Sequence, residues 1–420
     1  MSTFRVRSYW HALLINGLLS GAAAADGLRD ALQATLNNHP AVAGQEAEVE
    51  ARRHAADAVR SQRYPTLVAQ AERYGQSGRS ATGDDLSQPS LVRVRQPIWA
   101  FGRIDNNIAV ANAEVRTGRT DLLRVRRQLL EDTAVAYASV RGKRQDIDIA
   151  EQNVTELEQL SDQIQRRVAG QLASSADARL AAARLGEARA LLEHATSEWE
   201  GSKDDLIGLT QVPVDADEPV PSELLELHDS PDVVERAMDQ SADVTVKRSQ
   251  LEQAEVEVDR AKTAYMPTIY LQADRYYDQP GLNDDSHAGV VFEASVDGLG
   301  FAARGRTGEA VARRTAATQD LAAAKVEVTR TTKQLERKRR LQTELIGLQS
   351  QSLSDLESLL ASYQRQYESG TKSWLDLLNV QRELFEQRHQ LLQSQIDWQT
   401  YTLQLLARIG DLDNLAGLHE

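Results

Sequence analysis

Eight histidines are the side chains best suited to acid–base or metal chemistry: His11, His39, His54, His194, His228, His287, His389 and His419. No two stand at a metal-ligand spacing. Cysteine is absent, which removes thiolate metal sites, disulfides and thiol catalysis together. No glycine-rich phosphate loop opens a helix, and no serine or carboxylate occupies a nucleophile motif. Neither catalysis nor a bound cofactor or metal is expected. With 48 basic and 62 acidic residues the net charge is −14, so nucleic acid is not an expected partner, since phosphate binding needs a basic surface. The dense basic run Lys333 to Arg340 reads as a solvated helix face.

The elements carry the message instead. Arg5 and Arg7, the apolar stretch Ala12 to Leu19 and the alanines Ala22 to Ala25 have the three parts of a secretory signal peptide, placed at residues 1–25. An amphipathic first helix is the alternative. Cleavage would take the net charge from −14 to −16. No other window supplies the roughly 20 apolar residues of a membrane helix. All ten prolines lie between Pro40 and Pro280. Long helices are therefore free to run from Ile98 to Val212 and beyond Gly281. Pro213, Pro219, Pro221 and Pro231 mark a linker at 213–231, between a first unit at 26–212 and a second at 232–420.

The two units are copies. Tyr64 to Tyr74 aligns with Met266 to Tyr276 without a gap, and Pro, Thr, Gln, Ala, Arg and Tyr recur at an offset of 202. Each unit reads as helix, strand, strand, long helix, turn, helix. Strands are expected at about 65–76 and 89–98, and at about 267–278 and 288–297. They alternate: Leu67, Ala69, Ile269 and Leu271 oppose Gln70, Gln272 and Asp274, while Val92, Val94, Val290 and Phe292 oppose Arg93, Arg95 and Glu293. One apolar and one polar face suits a membrane barrel with a wet lumen, and equally two amphipathic hairpins on a soluble core. Four strands are too few to close a barrel, and open edges in lipid cost several kcal/mol per unpaired group. In a membrane, several chains must pool them. The helical tracts carry coiled-coil spacing: Ile147, Ala150, Val154, Leu157, Ser161, Ile164 and Val168 in the first, and Leu353, Leu356, Leu360, Tyr363 and Tyr367 in the second. After Gly370 come Trp374, Leu378, Phe385 and Leu392. A single helix over 103–169 would be about 100 Å long.

Three segments, taken in order with the duplication, resemble the TolC family of outer-membrane export ducts over essentially the mature chain. They are Asn38-His39-Pro40-Ala41-Val42, Gln96-Pro97-Ile98-Trp99 with Phe101-Gly102-Arg103, and Tyr367 to Asn379. The resemblance implies a mainly α fold with a small β-barrel portion. Three chains contribute four strands each to a twelve-stranded barrel, continued by long antiparallel coiled-coil helices as a periplasmic tunnel. It implies an aperture at Asp376, with Asn379 where a second aspartate is familiar, and a lock of Asp177, Tyr367 and Lys372, with Lys372 in place of an arginine. A helix cap or a solvent-exposed charge is the alternative role for each. Docking of a periplasmic adaptor is implied at the turns Gly170 with Leu172 and Gly370 with Thr371. The first turn carries an apparent extra residue against the usual Gly-Leu pattern. The further partners implied are outer-membrane lipid and an inner-membrane ABC transporter, or else a proton-driven pump. Arg95 to Arg103 resembles ducts serving large adhesins and repeat toxins, which favours type I secretion. A multidrug-efflux duct is the alternative, and a structural periplasmic coiled coil a remote one.

Overall fold

The computed structural model describes residues 25–71, 90–225, 232–277, 285–295 and 300–418. The expected signal segment, apart from Ala25, lies outside them. In chain order come β1 (Ala25–Asp26), α1 (Gly27–Asn38), α2 (Pro40–Arg60), β2 (Thr66–Ala71), β3 (Ser90–Trp99), α3 (Arg103–Ala169) and α4 (Ser175–Thr210). After β4 (Val214–Asp215) and α5 (Ser222–Leu225) the order repeats. It runs through α6 (Val233–Gln240), α7 (Ala242–Thr263), β5 (Thr268–Tyr277), β6 (Asp285–Glu293), α8 (Phe301–Glu368) and α9 (Trp374–Arg408), and ends with α10 (Asp411–Ala416).

Local chemistry sets the boundaries. His39 caps α2 through its ring, which accepts from the Ala41 N–H at 3.1 Å, and Pro40 stands where its missing N–H costs nothing. Each strand-to-helix passage goes through a left-handed glycine, Gly102 at φ 85° and Gly300 at φ 93°. Beyond these, α3 and α8 run uninterrupted for 67 and 68 residues, about 100 Å each. Among the described residues no helix is long and apolar enough to cross a membrane.

The sheet order is β2-β3-β5-β6, antiparallel throughout, so the two hairpins meet along β3 and β5. Pro97 sits at an irregularity next to Trp99, as suits a residue without an N–H to give the ladder. Residues 72–76 of the first expected strand lie outside the described residues. The fourth strand differs from the expectation of 288–297: it starts at Asp285 and ends at Glu293. The reason is its partner. β5 extends to Tyr277 and its backbone groups need pairing, so Asp285 sits opposite Tyr276 and Glu293 opposite Thr268.

The main core lies midway along the molecule, where α1, α3, α4, α6, α9 and α10 converge on Leu32, Leu130, Tyr137, Leu206, Ala237, Leu403 and Leu412. The start of the proline-rich segment belongs to it. Ala216 and Val220 are buried, and the Tyr137 hydroxyl donates to the Glu218 carbonyl at 2.8 Å. Burial pushes the Tyr137 phenol up to about 12. Toward the far end α4 packs on α3, α3 on α9, and α9 on α8.

Candidate functional site

The two long hairpins end together. Leu160, Ile164 and Ala181 of α3 and α4 pack with Leu360, Tyr367, Trp374, Leu377 and Leu384 of α8 and α9. Residues 170–174 and 369–373 make the turns, five residues each, so the first has no insertion relative to the second. Their hydrogen bonds repeat at an offset of 199. Gln171 N–H donates to the Val168 carbonyl at 3.0 Å and Leu172 N–H to Arg167 at 2.8 Å. Gly370 N–H donates to Tyr367 at 3.1 Å and Thr371 N–H to Gln366 at 2.9 Å. The apparent extra residue is a displaced glycine: Gly370 takes the left-handed position at φ 80°, whereas Gly170 comes one residue early and Gln171 takes it at φ 60°. Leu172, at the apex, is 79% exposed.

Both following helices open with a capping box. The Asp177 carboxylate accepts from the Ser174 N–H at 3.0 Å, and the Asp177 N–H donates to the Ser174 hydroxyl at 3.2 Å. Asp376 accepts from the Ser373 N–H at 3.0 Å and from its hydroxyl at 2.8 Å. These donors hold both carboxyls below the ordinary value of 3.8, with the Trp374 side chain adding to the effect at Asp177 and the charge of Lys372 at Asp376.

The expected lock residues are near one another but differently partnered. Lys372 places its ammonium 4.4 Å from the Tyr363 ring centroid. Tyr367 is buried, with the Arg167 guanidinium 4.1 Å from its ring centroid and donating to its carbonyl at 3.5 Å. Among the described residues no ion pair joins Asp177 to Lys372. Trp374 of the second hairpin lies close enough to Asp177 to help lower its carboxyl. Arg167 and this use of Trp374 escape sequence reasoning because their contacts join separate hairpins, and Tyr363 because its contact depends on how the turn carrying Lys372 folds back over α8. Asp376 is half-buried and Asn379, one turn on, is exposed. Asn379 begins a groove between α9 and α4 that continues past Arg382 and Phe385, opposite Arg184 and Leu191. On the other side of α9, Glu156 of α3 accepts from Gln381 at 2.8 Å and Arg388 at 3.2 Å, while Arg388 also reaches Glu357 of α8 at 3.4 Å.

At the opposite end the strands separate two chemistries. Arg93 lies across from Asp274 and binds it twice, at 2.8 and 3.1 Å. Arg95 donates to Gln272 at 2.6 Å and to Glu293 at 3.0 Å. The other face presents Leu67, Leu271, Val290 and Phe292, each more than half exposed. Strands β2 and β6 have a partner on one side only within the chain.

A family model described as outer membrane efflux protein matches residues 31–210 and 233–411, one stretch in each repeat. No curated protein sequence matches the chain. Among solved structures, CusC, described in terms of transmembrane channel formation, superposes with a TM-score of 0.82 at 16% identity over 91% of both chains. The outer membrane protein VceC of Vibrio cholerae gives 0.76 at 17% identity, over 91% of this chain and 96% of the other. The open state of the MtrE outer membrane channel of Neisseria gonorrhoeae gives 0.73 at 18%, over 91% and 88%. At such identities the likeness is one of fold.

Proposed function

Because the chain belongs to the outer membrane efflux protein family, whose members are homotrimeric channels rather than enzymes, we propose that it is the outer-membrane duct of a tripartite export system. The observation that carries the reading is the shape of a single chain: a sheet with two open edges at one end and, about 100 Å away, two exposed turns of one build. Pairing β2 of one copy with β6 of the next removes every edge and turns the apolar face to lipid. The Arg93 and Arg95 networks then line a wet lumen. Along the helices, α4 and α8 are the outermost members of the row α4-α3-α9-α8, and their exposed Leu180, Leu191, Val326 and Leu348 meet neighbouring copies.

Asp376 and Asn379 of three copies form the periplasmic aperture. Asp177, Tyr367 and Lys372 restrain it, and an adaptor docks at Gly170, Leu172, Gly370 and Thr371. The first turn of α9 is capped by Ser373 and Asp376, outside the restraint, so releasing the restraint frees α9 without unravelling that turn. Lys372 holds by charge alone, since an ammonium lacks the fork of a guanidinium. Asp177→Ala and Lys372→Ala are expected to raise single-channel conductance in planar bilayers; unchanged conductance in both removes the lock.

Protein cargo delivered by an ABC transporter is the favoured use, supported by the likeness of Arg95 to Arg103 to ducts of that kind. Drug efflux driven by a proton-coupled pump is the second reading, favoured by the description of the family model. Deleting the protein separates them. Loss of a large secreted protein with unchanged drug susceptibility supports the first, and the reverse supports the second.

A further inference from the structure

Between the tip and the central core, Ile396 of α9 packs directly over Gly142 of α3. A Cβ built on Gly142 would stand 2.4 Å from Cδ1 and 2.5 Å from Cγ1 of Ile396, so any larger residue there would push the Ile396 side chain aside. A turn nearer the tip on α3, and two turns nearer on α9, the His389 ring nitrogen Nδ1 meets the Asp146 carboxylate at 2.7 Å. The pair borders an open groove of about 370 Å³ between α9 and α4, so solvent reaches it. His389 is half exposed and Asp146 mostly covered. The groups facing the histidine are few. From α3 come Asp146 and Lys143, and from α4 come His194 and Glu198, the last engaged by Lys143 at 3.2 Å. From α9 itself comes the ring of Phe385, stacked at 6.5 Å between centroids.

We propose that the Gly142–Ile396 contact is the pivot on which α9 swings, and that the His389–Asp146 tie is a latch across it that acid in the periplasm closes and alkali releases. This rests on the duct reading, because α9 carries Asp376 and Asn379. A tie beyond the pivot has leverage that a tie at the pivot lacks: its loss leaves the tip segment of α9 held to α3 only by the Glu156 contacts and the apolar packing at the tip, so that it turns away more easily. Gln381 and Arg388 tie that segment to Glu156 as well, and among the α3–α9 ties described His389–Asp146 is the one that includes a histidine, the side chain whose charge changes near neutrality. The direction follows from the partners. The hydrogen bond and charge of Asp146 raise His389 above the ordinary 6.5, against partial burial and Lys143. A raised value in the latched state means the tie is complete below 6.5 and is lost as pH rises through the raised value.

The test is single-channel recording of the purified full-length protein in planar bilayers at about pH 5.5 and about pH 8, which bracket histidine titration. The native channel is expected to conduct less at the acid pH. His389→Gln and Asp146→Asn should each abolish that difference and hold conductance at the high level, while His194→Gln keeps the difference. A pH step that persists in both His389→Gln and Asp146→Asn overturns the latch, as does a native channel with no step. No channel at either pH overturns the duct reading, and the latch with it.

Discussion

Gln171 is the sharpest place to test the energetics of the tips. It occupies a left-handed backbone position that its counterpart in the second hairpin fills with Gly370. The left-handed conformation costs a residue with a Cβ about 1–2 kcal/mol. Glycine would relieve that cost but give back about 0.5–1 kcal/mol through the extra freedom of the unfolded segment. Gln171→Gly should therefore stabilise the first turn by about 1 kcal/mol, or about fivefold in its opening equilibrium. Gly370→Gln should destabilise the second by a similar amount. Global melting is a poor readout for so large an assembly, whereas amide hydrogen exchange reports local opening directly. The amides to follow are Leu172, bonded to Arg167, and Thr371, bonded to Gln366. Leu172 should exchange about fivefold more slowly in Gln171→Gly, and Thr371 about fivefold faster in Gly370→Gln. Unchanged or faster exchange at Leu172 in Gln171→Gly would refute the argument that backbone strain distinguishes the two turns.

Two further outcomes follow from contacts already described. Gly142→Ala forces Ile396 aside and should cost about 1–3 kcal/mol of overpacking. Ile396→Ala in the same chain should restore thermal resistance of the assembly if the clash is the cause. Ser373→Ala removes a helix cap worth about 1 kcal/mol and should speed exchange in the first turn of α9. In the native protein the same amides should lose protection only as pH falls through the lowered value of Asp376, below 3.8, because a depressed carboxyl contributes its stability above its ordinary value.

The elements were legible wherever sequence period and punctuation agree. The offset of 202 and the gaps between prolines locate both long helices, and the alternation at 67–71 and 90–99 locates a hairpin. Interactions between the repeats were not legible. Nothing local says that β3 pairs with β5, so Arg93 and Asp274 gave no sign of being partners 181 residues apart. The seam of α9 shows the same limit. Its heptad picks out Trp374, Leu378, Phe385 and Leu392, yet Leu377, Gln381 and Leu384 are buried while Phe385 lines a groove. A heptad assumes one partner, and α9 packs along two long helices, α8 and α3. At the tips, Asp177 and Asp376 are recognisable as cap residues from Ser-x-x-Asp, but the aromatic partner of Arg167 depends on how the hairpins nest, and that of Lys372 on how its turn folds back over α8.

The matched turns have a consequence for whatever meets the tips. In a threefold assembly of this chain, two tips of one backbone build alternate around the rim, so a partner that grips main-chain groups encounters twice the rotational order of the assembly. The side chains break that equivalence, with Leu172 at the apex of one tip and Thr371 at the other. Recognition through the backbone can thus be evenly repeated, while an opening movement driven through side chains begins at every second tip.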